Sequence, residues 1–170
     1  MLIPLPKRPL RGATVALRTW QQDDAEWYVR ARDEEVFRWS TERRDLTPDL
    51  LRRAIEALLR RPTYAGFAII DATTRQLLGN ISLVISESVV GQAEVSYWLA
   101  AQARGRGAAT DAVRTMTRWA FECLPINRIE LLTNAGNRAS LRVARRAGFA
   151  PEGERGDQLL FAMSRGARKR

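Results

Sequence analysis

The chain has 170 residues, and 28 Lys plus Arg against 19 Asp plus Glu give it a formal charge of +9. Hydrophobic residues make up 45%, enough for one sizeable core, which excludes a disordered chain and favours one domain spanning 1–170 over two. There is no histidine, and Cys123 is the single cysteine. That excludes His-dependent nucleophile triads, His-liganded zinc, Cys-cluster metal sites and internal disulfides.

No apolar run reaches the roughly 18 residues of a membrane span. The lead-in, 1–12, is broken by Pro4, Pro6 and Pro9 and lacks the apolar stretch of a signal peptide. A cytoplasmic protein without membrane attachment is expected. Thr14 to Trp20 alternates as a strand does. Asp23 and Asp24 then mark a helix start, with the helix running through Trp27, Tyr28 and Ala31 and on to Val36 and Phe37. Thr47 and Pro48 suit the cap and first position of a second helix, whose apolar stripe is Leu50, Leu51, Ala54, Ile55, Leu58 and Leu59, with Pro62 as its stop. Tyr64–Asp71 and Leu77–Ser86 read as a hairpin, and Ala93–Leu99 as the next strand. A long helix from Gly107 to about Cys123 carries its apolar face on Ala109, Ala112, Val113, Met116, Ala120 and Cys123. Asp111, Arg114, Arg118 and Glu122 are expected to face water. Asn127–Thr133 is a strand, Arg138 to Ala147 a short helix ending at Gly148, and Gln158–Met163 the last strand. The order β-α-α-β-β-β-α-β-α-β fits one layered α/β or α+β domain.

Only Lys7 and Lys169 are lysines, and the arginines are spread along helical patterns. This reads as solvated helix faces rather than a nucleic-acid stripe, so nucleic acid is disfavoured as a partner. Positive charge is concentrated only in the tail 165–170, which is expected to be disordered. An anionic ligand remains a suitable partner.

The segment Gln102-Ala103-Arg104-Gly105-Arg106-Gly107-Ala108-Ala109 joins a strand to a helix N-terminus. Two glycines spaced by one residue let successive N–H groups approach a polyanion, and the helix dipole adds partial positive charge. The competing reading is a turn that merely needs positive φ. No Gly-Lys-Ser/Thr follows, as a nucleotide-binding P-loop requires, and the third glycine of a dinucleotide fingerprint is absent.

The wider context is more specific. Ala93-Glu94-Val95-Ser96-Tyr97-Trp98-Leu99, then Gln102-x-x-Gly105-x-Gly107, Asn127-Arg128-Ile129-Glu130, Asn137-Arg138-Ala139-Ser140, Ala147-Gly148-Phe149 and Glu152-Gly153 follow in order. With Leu17-Arg18 and Asp23-Asp24 upstream, the sequence resembles the GNAT acetyltransferase superfamily, and most closely its RimJ/RimL-like branch of ribosomal-protein N-terminal acetyltransferases. The resemblance implies one GNAT domain, with a mixed, mostly antiparallel sheet of six to seven strands flanked by about four helices. It implies acetyl-coenzyme A as donor, with the pyrophosphate on the amides of Arg104, Gly105, Arg106, Gly107, Ala108 and Ala109. The pantetheine arm would pair with a splayed strand at Tyr97, Trp98 and Leu99, and Arg104 and Arg106 would add charge attraction. Asn137 is either a helix cap or, as the resemblance implies, a contact to the cofactor arm. Ser140 is either a first-turn residue or a donor to the departing thiolate. No tyrosine follows Tyr97, which leaves Ser140 as the available donor.

Glu94 is the leading carboxylate for taking the amine proton, against the alternative of an ordinary surface glutamate or water as base. Cys123, expected on the core-facing stripe, is an inert thiol, so direct attack is favoured over an acyl-enzyme. Trp27, Tyr28, Phe37, Arg38 and Trp39 could line the acceptor side. The segment from Glu152 to Gln158 is shorter than in RimL-like relatives, which predicts an open acceptor cleft. The expected activity is N-acetyl transfer to a small-molecule amine or a protein N-terminus, with no metal. Homodimers are common among the proteins it resembles. The rival readings are a coenzyme A-binding protein without turnover and a basic nucleic-acid-binding module.

Overall fold

The computed structural model describes residues 3–166, so positions 167–170 of the basic tail lie outside the described residues; Arg165, expected to be disordered with them, is instead anchored on the carbonyls of Leu124 and Ile126. The strands are β1 (Leu10–Arg11), β2 (Val15–Thr19), β3 (Tyr64–Asp71), β4 (Leu77–Ile85), β5 (Gln92–Leu99), β6 (Arg128–Asn134), β7 (Ala150–Arg155) and β8 (Gln158–Ser164). They form one sheet in the order β1-β2-β3-β4-β5-β6-β8-β7. The helices are α1 (Ala25–Ala31), α2 (Glu34–Trp39), α3 (Pro48–Leu58), α4 (Ala108–Cys123) and α5 (Arg138–Ala147). All neighbouring strands are antiparallel except β5 and β6.

Strand alternation sends side chains to two separate cores. Val15, Leu17, Phe67, Ile69, Ala93, Val95 and Ile129 join α4 and α5 on one face, where Phe67 meets Trp119 edge-on at 5.4 Å. Ala16, Ala68, Ile70 and Trp98 join Ala25, Tyr28, Val36, Leu51 and Ile55 of α1–α3 on the other. The result is a three-layer α/β/α arrangement.

Several expectations are corrected. The helix expected from Asp23 to Phe37 is two helices. Arg32 is extended (φ −82, ψ 116), and Asp33 accepts the Val36 N–H as the cap of α2. Arg32 is diverted because its almost fully buried guanidinium pairs with Glu42 at 3.2 Å and bonds the Arg43 carbonyl. In α3, Leu51 and Ile55 are buried but Leu50 is exposed, as is Leu59 at its C-cap. Cys123 is exposed too, because Leu124 and Ile126, just past the helix end, fill the core there. Strands β1 and β7 were not foreseen. Both lie at sheet edges, and β7 is exposed along its whole length, so no burial pattern marks it. Among the described residues the sheet therefore has eight strands, with five α-helices.

Asp111, expected to face water, instead ties α4 to the start of β2. Its carboxylate accepts the backbone N–H groups of Ala13, Thr14 and Val15 at 2.7–3.0 Å. Partial burial pushes its carboxyl up, but these donors outweigh that and hold it below the usual carboxylate value. The stabilisation is therefore present above the ordinary carboxylate pKa and is lost as pH falls through the depressed one. Asp111→Ala is expected to cost about 1–2 kcal/mol after allowing for solvent screening. Thermal melts of both proteins should converge as the pH is lowered; a difference that persists in acid would contradict this account.

Candidate active site

The ladder between β5 and β6 covers only Gln92–Glu94 against Arg128–Glu130. Beyond Glu94 the strands part, because β6 continues on β8 while β5 stays on β4. The β6-side edge of Val95–Leu99 is thus left without a strand partner. A backbone edge inside an opening can pair with an extended, amide-bearing chain.

At the end of β5 the chain turns through 101–107 into α4. Gly105 and Gly107 both adopt left-handed backbone, with φ of 75° and 80°. A Cβ built on either would meet no protein atom within 4 Å. The amides of Gly105 through Thr110 find no acceptor among the described residues. Bare backbone, unpaired donors and the N-terminus of a 16-residue helix together form a turn, open to solvent, that could cradle an anion. Arg104 departs from its expected role. Its N–H bonds the Ala101 carbonyl, and its guanidinium is spent on Asp33 (2.7 and 2.8 Å) and the Leu99 carbonyl. It ties the cradle to α2 instead of reaching into it, and it occupies the Leu99 oxygen. The Arg106 guanidinium folds back onto the Gln102 carbonyl.

Asn137 is a helix cap: its side chain accepts the Ser140 N–H at 3.0 Å. Ser140 is half-buried, and its Oγ accepts a hydrogen bond from the Tyr97 hydroxyl at 3.1 Å. Glu94 lies on the opposite sheet face, with the parity of Trp98, at the last rung before the strands part. It is half-buried and has no ion-pair or hydrogen-bond partner among the described residues. Burial pushes its carboxyl up, Arg155 pulls it down and Glu130 pushes it up, with a net rise. It borders a cleft of about 260 Å³ with Val84, Ser86, Glu130 and Arg155.

The expected acceptor residues divide. Tyr28 is buried and gives its hydroxyl to Glu42 at 2.6 Å. Trp27 stacks between Trp20 and Trp98, so both residues are packing rather than wall. Trp98 donates its indole N–H to the same Glu42 at 3.1 Å, which removes its side chain from the cofactor side. Phe37 is covered by Arg32 and Arg44, and Arg38 lies over Trp39. The Trp39 ring comes within 3.3 Å of a Cβ built on Gly136, beside Asn137, and so bridges α2 to the loop before α5.

Sequence reasoning missed three groups here. Glu130 is buried and held by Arg128 (2.9 and 3.0 Å) and Arg155 (2.6 Å). It belonged to a recognised motif, but its place beside Glu94 depends on a strand register that the motif does not carry. Glu42, which gathers Tyr28, Trp98 and Arg32, sits in an irregular segment with no periodicity to flag it. The Tyr97 hydroxyl was passed over because its partner is 43 residues away.

A family profile described as "Acetyltransferase (GNAT) domain" matches residues 14–150. The chain belongs to the GNAT acetyltransferase family. It is 31% identical over 153 residues to YjcK of Bacillus subtilis, named as an N-acetyltransferase, covering 85% of this chain and 84% of that protein. YdaF of the same organism, named as a ribosomal N-acetyltransferase, is 40% identical over 83 residues; that match spans 49% of this chain and 45% of YdaF. In fold the chain is similar to Mycobacterium smegmatis RimJ in complex with CoA-disulfide. The TM-score is 0.77 at 22% identity, covering 92% of this chain and 86% of RimJ.

Acetyl-coenzyme A is the donor of GNAT acetyltransferases, and the residues present fit it. The solvent-open positions at Gly105 and Gly107 are where a phosphate would lie against the backbone, and the unpaired edge of β5 is where an amide-bearing arm would run. Among the described residues, no group of three or more His, Cys, Asp or Glu could hold a metal ion, and no helix is long and apolar enough to cross a membrane.

Proposed function

We propose that this GNAT chain transfers acetyl from acetyl-coenzyme A directly to a primary amine entering the cleft at Glu94. The observation that carries the reading is the division of groups across the parting strands. An unpaired, half-buried carboxylate lies on one face, and the Ser140 hydroxyl lies on the side of α5. The donor supplies an activated acetyl thioester. Glu94 holds the amine and takes its proton, directly or through one water, as nitrogen bonds the acetyl carbon. Ser140 donates to the sulfur as the carbon–sulfur bond breaks and its electron pair leaves with the thiolate. The amides of Gly105 to Ala109 would hold the pyrophosphate, and the Asn137 amide nitrogen, left free by the cap, would be available to the arm.

A covalent acyl-enzyme finds no support. The exposed Cys123 ends α4, whose 16 residues put it about 22 Å from the cradle at the other end. A free, exposed thiol also suits a reducing, cytoplasmic setting.

For the acceptor, the proposal is a small or medium amine. Glu152 to Gln158 leaves no chain to fold over the cleft, because β7 runs to Arg155 and only Gly156 and Asp157 connect it to β8. The second reading, a protein N-terminus, is favoured by the name of YdaF. Steady-state kinetics on matched panels decide between them. Small amines are expected to give the higher kcat/KM. Peptides with acidic-protein N-termini that exceed every small amine by about tenfold, roughly 1.4 kcal/mol of transition-state binding, would install the second reading.

A further inference from the structure

We propose that Tyr97 is a positioning residue for the leaving group, holding the Ser140 hydroxyl so that its proton points into the opening between β5 and β6. This rests on the role given to Ser140 above. Tyr97 stands three residues beyond Glu94, on the stretch of β5 that has left β6, while Ser140 lies in the first turn of the helix that follows β6. Their 3.1 Å hydrogen bond therefore bridges the two arms of the opening.

The direction of that bond follows from acidity. A phenol is a far stronger acid than an alcohol, so Tyr97 donates and Ser140 accepts. Burial also pushes the Tyr97 hydroxyl up to about 12, and it stays a donor throughout the working range. The Ser140 N–H is already fixed on Asn137. With one lone pair of Oγ filled by Tyr97, the serine proton has no acceptor among the described residues and is free for a ligand. A donor behind the hydroxyl polarises it, which strengthens the bond it gives. Serine alone is a poor acid; serine backed by a half-buried phenol is a better hydrogen-bond donor to a developing thiolate.

The opposing reading is structural: a core tyrosine satisfying its hydroxyl on the nearest oxygen. Calorimetry with coenzyme A and desulfo-coenzyme A, which lacks only the sulfur, separates the two without needing an acceptor. At a pH that ionises the coenzyme A thiol, the wild-type protein should prefer coenzyme A by about five- to tenfold, the worth of one hydrogen bond to the thiolate. Ser140→Ala should abolish the preference, and Tyr97→Phe, which keeps the ring, should reduce it to about twofold. In acetyl transfer to the best amine of the panel, Tyr97→Phe should lower kcat by about tenfold with the KM for acetyl-coenzyme A unchanged. The double variant should be no slower than Ser140→Ala alone.

Tyr97→Phe with wild-type sulfur preference and kcat overturns the proposal and leaves the Ser140 reading standing. So does a double variant in which the two losses multiply. If Ser140→Ala itself keeps both quantities, the Ser140 reading fails and the Tyr97 role falls with it.

Discussion

Gly107→Val is expected to weaken acetyl-coenzyme A binding by roughly thirtyfold. The cost takes one of two forms, and the smaller sets the loss. Keeping an L-residue at φ 80° costs about 1–2 kcal/mol, and a β-branched one lies at the upper end. Relieving that strain instead swings the amides of Gly107 and Ala108 off the phosphate, and each hydrogen bond to a charged group is worth about 1.5–3 kcal/mol. The cheaper route is about 2 kcal/mol, or one and a half decades in affinity. Packing adds nothing to that backbone strain, since no atom lies within 4 Å of the new Cβ. The loss should therefore appear in binding while the helical circular dichroism holds. Arg106→Ala gives the contrast: its guanidinium folds onto Gln102, so at most about 1–2 kcal/mol should be lost. Calorimetry on the two variants tests both statements, and undiminished affinity in Gly107→Val would remove the cradle from the account.

The sequence carried this cradle because its signal is local. Two glycines at a strand-to-helix junction mark backbone geometry that their neighbours cannot supply, and their left-handed φ values bear this out. Elements with strong periodicity or caps were legible for the same reason. The ends of α5 match the expected Arg138 and Ala147, and α3 has its Thr47 cap accepting the Leu50 N–H. What stayed hidden depended on register or on partners far along the chain. Nothing local says that Arg104 turns from the phosphate site to Asp33, 71 residues away. Cys123 falls on the apolar stripe by helical angle, but the stripe stops mattering where the helix overhangs its core. The division of Glu94 and Tyr97 onto opposite faces was implicit in strand alternation. That Glu94 stands at the last rung, and Tyr97 beyond it where the strands have parted, became visible only with the β5–β6 pairing.

On the roles proposed for Glu94 and Ser140, that pairing also separates the two halves of the chemistry. Three residues of strand span about 10 Å, and the odd interval sends the side chains to opposite sides. A base on the acceptor face and a donor on the α5 face can then act at one carbonyl lodged in the opening, without competing for the same proton. The Arg104–Asp33 pair adds a mechanical link, since it joins the Gly105–Gly107 turn to the helix carrying Phe37, Arg38 and Trp39. Holding both on one bidentate contact limits how far that turn and α2 can drift apart.

Glu94→Gln is expected to lower kcat by about a hundred- to a thousandfold, within the range for loss of a general base, while acetyl-coenzyme A affinity stays unchanged. The amide keeps the volume and a hydrogen-bond acceptor for the amine, so ground-state binding of the acceptor should change little. The pH profile is the sharper readout. A carboxyl that holds its proton cannot accept another, so wild-type kcat should rise with pH through the Glu94 pKa and then level off. Burial pushes that pKa above the usual carboxylate range, and Arg155 holds it down against the push of Glu130. The acid limb should accordingly lie above that of an ordinary glutamate and be absent from Glu94→Gln. Arg155→Ala removes the counteracting charge and should move the limb further toward alkaline pH. A Glu94→Gln variant that keeps both the rate and the acid limb would transfer the base role to water and leave Glu94 a spectator on the sheet.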